Sequence, residues 1–192
     1  MKYHKIDSSL FIKNRKKFVE MMKPNSVAFF NSNDIYPISA DSTLPFEQHR
    51  DIFYLSGIDQ EESVLMLCPN ARDPKHREVL FLKETNEHIA IWEGEKLTKQ
   101  QAFETSGIKS VFWINEMEKV IDKVVMHCEN IYYNHNEHYR ANVEVETREE
   151  RFNKWLENKF PKIRKDRSNP VLQQLRSVKE NIELELIQTA CN

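Results

Sequence analysis

The chain has 192 residues, enough for one domain, and 40% of them are hydrophobic, enough for a core. Its 28 Lys and Arg face 30 Asp and Glu, a formal charge of -2, and the charges are scattered, which argues against a dedicated nucleic-acid surface. No apolar run approaches the roughly 20 residues that span a bilayer, and the opening MKYHKIDSSLFIKNRKK lacks the apolar segment of a signal peptide.

The first predicted element is an amphipathic helix over about Ser8 to Met22, with Phe11, Phe18, Val19 and Met22 inward and lysines outward. Pro24-Asn25 ends it, and SVAFFN (Ser26 to Asn31) is a short apolar strand. A polar loop leads into SADSTLPFEQHRDIFYLSG. SVLMLC (Ser63 to Cys68) and EVLFL (Glu78 to Leu82) are strands joined by the turn-rich PNARDPKH, an antiparallel hairpin with a long loop. Thr98 and Gln101 form a capping box for a helix that stops at Gly107. KSVFW is a fourth strand. Asn115 is the expected cap of the next helix, in which Met117, Val120, Ile121, Val124, Val125 and Cys128 keep the helical period. NIYYN is a fifth strand. Thr147 and Glu150 open a helix with Phe152, Trp155, Leu156 and Phe160 inward, closed by Pro161. KIRKDRSNP is expected to be a basic linker, and Ser177 with Glu180 the capping box of a last helix. The alternation gives an α/β fold: a single three-layer domain, a mixed central sheet of about five or six strands flanked by helices.

Three glycines leave no room for a GxGxxG turn or a phosphate loop, and HExxH, CxxC and GxSxG are absent. Cys68, Cys128 and Cys191, odd in number and widely spaced, point to reduced, mostly buried thiols of a cytoplasmic protein. His135 and His138 have a spacing that ligates a metal from one helical face, or are solvated loop histidines. Asp34, Asp41, Glu47 and Asp51 are acidic but sit where carboxylates serve as caps and turn formers. FEQHRDIFYLSG interleaves aromatics with polar residues, either as a capped turn packed on the sheet or as part of a site. Trp92, in AIWEGEKLT, lies off any periodic apolar face, which suits a contact surface as well as core packing.

Three of these stretches together resemble a known family. SADSTLPFEQHRDIFYLSG is similar to a signature of the N-terminal domain of Xaa-Pro aminopeptidases (aminopeptidase P), through Ala40, Asp41, Ser42, Phe46, Gln48, Asp51, Tyr54, Leu55, Ser56 and Gly57. Glu62 to Leu67 resembles the acidic-then-apolar strand that follows it there. IWEGEKL resembles a second family segment through Trp92, Gly94, Lys96 and Leu97, and LRSVKENIELELIQTA resembles the linker into the catalytic domain through Leu175, Arg176, Lys179, Ile187 and Ala190. The chain departs from the pattern at His49-Arg50 and at Glu180.

The resemblance implies a creatinase/prolidase N-terminal fold over residues 1–174, with residues 175–192 as linker and start of the first helix of a further pita-bread metallopeptidase domain. The full enzyme would remove the first residue of a peptide with proline second, would work in the cytoplasm as a homo-oligomer, and would hold two divalent metal ions, manganese by resemblance, in that further domain. No catalytic residue and no metal ligand is expected in this segment. In bacterial members the residues matching Asp41 and Trp92 reach a neighbouring subunit's active site, which makes these two the candidate substrate-binding residues: Asp41 toward the free peptide amine, Trp92 as a pocket wall. The alternatives are the equivalent domain of a prolidase or creatinase, and a free-standing, non-catalytic binding module. Nucleic acid and membrane are not expected partners.

Overall fold

The computed structural model of the chain describes residues 5–86, 94–140 and 144–192. In chain order the elements are α1 (Ser8–Glu20), β1 (Ser26–Asn31), β2 (Pro37–Ser39), β3 (Ser42–Thr43), α2 (Arg50–Ser56), β4 (Val64–Leu67), β5 (Glu78–Leu82), α3 (Lys99–Ser106), β6 (Ser110–Trp113), α4 (Met117–Val125), β7 (Asn130–Tyr133), α5 (Arg148–Lys159), β8 (Arg164–Arg167), α6 (Asn169–Ser177) and α7 (Asn181–Cys191). Six strands form one mixed sheet in the order β6-β5-β4-β1-β7-β8, and β2 and β3 form a separate small hairpin. β1 pairs in parallel with β7 and antiparallel with β4, β4 antiparallel with β5, and the outer pairs β5–β6 and β7–β8 are parallel. β4 alone therefore runs against the other five.

The central strands are buried on both sides, so they read as continuous apolar runs, and their alternate residues divide between two cores. Ala28, Phe30, Leu65, Leu67, Leu80 and Leu82 face α1, α2, α3 and α6, which contribute Phe18, Ile52, Leu55, Ala102, Leu172 and Leu175. Val27, Phe29, Val64, Met66, Val79 and Phe81 face α4 and α5, which contribute Val120, Ile121, Val124, Val125, Phe152 and Leu156. Within the first core Phe18 meets Phe30 edge to face, with ring centroids 5.2 Å apart.

α2 and α3 end in the same way. Ser56-Gly57-Ile58 and Ser106-Gly107-Ile108 each place the glycine at a left-handed C-cap, with φ of 70° and 73°. In each, the serine hydroxyl donates four residues back, to Ile52 O or Ala102 O, and accepts from the isoleucine N–H. The buried Arg15 guanidinium of α1 joins the two ends, donating to Leu55 O at 2.9 Å and Ser106 O at 3.0 Å, with Glu78 as its counter-ion at 3.2 Å.

The architecture and the five expected strands stand, and the β4–β5 hairpin is antiparallel as read. Four local expectations change. The basic linker is a strand at its centre: β8 pairs through its backbone with β7, and Arg164, Lys165 and Arg167 are exposed and make ion pairs, so no apolar alternation marks it. FEQHRDIFYLSG is not only a turn, because α2 occupies its second half, capped by His49. The cap before α4 is not Asn115; a 3-10 turn over Ile114–Glu116 precedes the helix, and Glu116 accepts from the Trp113 N–H. Ser177 ends α6, and the capping box of the last helix is Glu180 with Glu183.

Candidate functional site

The three sequence motifs, far apart in the chain, meet around α2. Gln48 orders the loop after it: its side-chain amide donates to Ile58 O at 3.1 Å and Gln60 O at 3.0 Å, and its carbonyl accepts from the His49 N–H at 2.7 Å. Gln60 and Glu61 then hold the second motif, Gln60 by accepting from the Leu97 N–H at 2.7 Å and Glu61 by an ion pair with Lys96 in which both side chains are under 10% exposed. Asp51 and Tyr54 hold the third: Arg176 lies 2.8 Å from the Asp51 carboxylate, 4.7 Å from the Tyr54 ring centre, and donates to Arg50 O at 2.9 Å. Asn134, at the end of β7, donates to the other Asp51 oxygen at 2.9 Å. His49 caps α2 by accepting from the Asp51 N–H through Nδ1. Burial holds its imidazole below the usual value, with Asp51 pulling the other way.

α2 borders a cleft of about 1010 Å³ at the carboxyl ends of β1, β7 and β8, lined by residues such as His49, Asp51, His135, His138, Glu149 and Arg176. The topology opens it: after β1 the chain turns to α2 on one face of the sheet, after β7 to α5 on the other, and the diverging connections leave a crevice between them. Glu149 closes its floor. The residue is 5% exposed and accepts from the Asn31 backbone N–H at 3.1 Å and from the Asn31 side-chain amide at 3.3 Å. Burial pushes its carboxyl up to about 8, against the downward pull of those hydrogen bonds.

Asp41 is in neither network. It sits with Ala40 in the turn of the β2–β3 hairpin, exposed, and among the described residues it enters no ion pair. Ile35, Tyr36, Ile38 and Leu44 around that hairpin are exposed as well, Ile38 at 58%. Of the four acidic residues that lie close in sequence, Glu47 and Asp51 both line the cleft, Asp51 pairs with Arg176, Asp34 pairs with Arg151, and Asp41 is exposed on the hairpin. His135 meets Glu137 at 3.7 Å, and Glu137 is held by Arg167. Among the described residues no group of three or more His, Cys, Asp or Glu side chains is placed to hold a metal ion, and no helix is long and apolar enough to cross a membrane. Trp92 lies outside the described residues. The roles of Gln48, Glu61, Arg176 and Glu149 were not visible in the sequence. Gln48 and Arg176 belonged to the motifs, whereas nothing in the charged run REER marks Glu149 as buried.

Fold and site define a three-layer α/β domain of the doubly wound kind, with an open crevice at its strand ends and an exposed hairpin beside it. The chain belongs to the family described as aminopeptidase P, N-terminal domain, whose model matches residues 11–132. It is 28% identical over 144 residues to the Xaa-Pro aminopeptidase of Escherichia coli, covering 75% of this chain and 32% of that protein. Against the Xaa-Pro aminopeptidase of Haemophilus influenzae it is 23% identical over 186 residues, covering 97% and 40%. The chain thus spans 32% to 40% of the length of these relatives. In fold it is similar to the Escherichia coli aminopeptidase P in its low pH form, with a TM-score of 0.76 at 23% identity over 95% of this chain and 41% of that one.

Proposed function

We propose that this chain serves as the N-terminal domain of an Xaa-Pro aminopeptidase, an enzyme that removes the first residue from peptides with proline second, and that it supplies subunit contacts and part of the substrate pocket rather than the reacting groups. In this reading residues 1–174 are the non-catalytic body. Residues 175–192 are the linker and the start of the first helix of a second domain, which holds two divalent metal ions, manganese by family resemblance; the described residues offer no cluster to hold them here. The parent enzyme is a cytoplasmic homo-oligomer.

The observation that carries the proposal is the β2–β3 hairpin: an exposed carboxylate, Asp41, at the turn of an arm whose apolar side chains are left uncovered. Such an arm is suited to seat against a neighbouring subunit and bring Asp41 to the ammonium of a peptide N-terminus. Trp92 is the proposed wall of the same pocket. α7 supports the second domain: it leaves the body with Leu184 and Ile187 about half exposed and contributes no residue to either core. The test is Asp41→Asn in the full-length enzyme, read as hydrolysis of an Xaa-Pro peptide. The expected result is a loss of about tenfold or more in kcat/KM, or about 1.4 kcal/mol of transition-state stabilisation. The melting midpoint of the 192-residue chain should stay nearly unchanged, since an exposed loop substitution usually shifts stability by no more than about 0.5 kcal/mol. Unchanged kcat/KM would remove Asp41 from the pocket.

A further inference from the structure

At the end of the sheet opposite the cleft, the chain brings two thiols together. Cys68 follows β4 and Cys128 follows α4, 60 residues apart, and their Sγ atoms lie 3.7 Å from each other. Both are free and border a cavity of about 250 Å³ that is also lined by Arg72, His76, Lys123 and His127. We propose that Cys68 and Cys128 are a reversible dithiol–disulfide site whose oxidant is a small hydroperoxide.

The geometry assigns the roles. The two sulfurs are in contact, with either able to donate, and Cys128 Sγ also reaches Val124 O at 3.5 Å. The contact and the amides of Asn70 and Ala71 hold the Cys68 thiol below its usual value, while the same contact and burial push Cys128 up. Cys68 is therefore the attacking thiolate and Cys128 the resolving thiol. The Cys68 residue is 2% exposed, so a bulky protein disulfide cannot reach its sulfur, whereas a peroxide of a few atoms fits the cavity. In the first step the Cys68 sulfur attacks one peroxide oxygen and the O–O bond breaks. The other oxygen leaves as hydroxide or alkoxide and takes a proton from solvent, and Cys68 becomes a sulfenic acid. In the second, the Cys128 sulfur attacks the Cys68 sulfur and the S–O bond breaks. Water leaves with the Cys128 proton. Two thiols lose two electrons and the peroxide gains them. The bond ties the end of β4 to the turn after α4, and closing it takes a shift of the sulfurs from contact to bonding distance, about 2 Å.

The experiment uses the chain with Cys191→Ser, which removes the exposed thiol that would otherwise link two molecules. Folded protein is treated with a modest excess of hydrogen peroxide, and free thiols, intact mass and peptide maps are followed. The expected product lacks two thiols, has lost the mass of two hydrogens, carries a Cys68–Cys128 cross-link, and is restored by dithiothreitol. The reaction should run at least about tenfold faster on folded protein than on the same chain in urea, because the fold supplies both the contact and the thiolate. Thiols that stay titratable, oxygen added to either sulfur without a cross-link, or equal rates in the folded and unfolded chains would each overturn the proposal.

Discussion

The Asp51 carboxylate of α2 lies 2.8 Å from the Arg176 guanidinium of α6, and that guanidinium also covers the Tyr54 ring. One arginine thus fixes the root of the chain's last helix on the helix that borders the cleft. A lysine cannot reproduce the three contacts, because it lacks the planar fork. Arg176→Lys and Arg176→Ala should therefore destabilise the chain similarly, by about 1–3 kcal/mol, the range for losing a charged hydrogen bond. A double-mutant cycle with Asp51→Ala should show coupling of about 0.5 kcal/mol or more. Full rescue by lysine would reduce the contact to simple charge pairing.

Glu61 and Lys96 are a pair with little access to water. Removing one partner leaves a buried charge uncompensated, so Lys96→Met alone should cost about 3–5 kcal/mol in urea unfolding. Glu61→Gln with Lys96→Met should be markedly milder than Lys96→Met alone. If the two behave alike, Glu61 finds water or another cation when Lys96 is gone.

Glu149 makes stability depend on pH. Its folded carboxyl titrates near 8, above the ordinary glutamate value, so the folded chain holds the proton more tightly than the unfolded one. The contribution is then fully present below the unfolded value of about 4.3 and is lost as pH rises through the folded one. Melting midpoints should fall between about pH 5 and pH 9, and Glu149→Gln should flatten that slope and stabilise the chain at the alkaline end. A slope untouched by Glu149→Gln would mean that the carboxylate is charged in the fold.

Gly57 lies at φ 70°, and a Cβ there would stand 2.3 Å from Phe11 Cε2. Gly57→Ala combines left-handed strain with a clash against a core ring, and should lower stability by about 2 kcal/mol or more. Gly94→Ala, also at positive φ but with open space around its Cβ position, carries the strain alone and should lose less. Equal losses would show that the backbone, and not Phe11, sets the effect.

How much of this could be read in the sequence depended on where each element gets its stability. β1, β4, β5 and α4 are held by buried side chains, and their apolar patterns announced them. β8 is an edge strand whose outward residues are Arg164, Lys165 and Arg167, and backbone pairing with β7 leaves no trace in composition. α2 has only seven residues and a histidine cap, too short for a periodic signal. Asp41 is a candidate through its motif alone, whereas the clamp on Arg176 and the buried Glu149 arise from contacts across 125 and 118 positions, which no local window contains. The paired Ser-Gly-Ile ends are legible only once α1 is seen lying against both.

The Arg15 bridge has a consequence for synthesis. α1 is the first helix of this chain to leave the ribosome, yet its buried guanidinium takes its partners from Leu55, Glu78 and Ser106. A cation that is satisfied only by groups so far downstream cannot be desolvated early without a large penalty. For that reason the docking of α1 on the sheet follows the arrival of α3, which carries Ser106. A helix that docks only after α3 leaves the first core open while the strands before it are still finding their register.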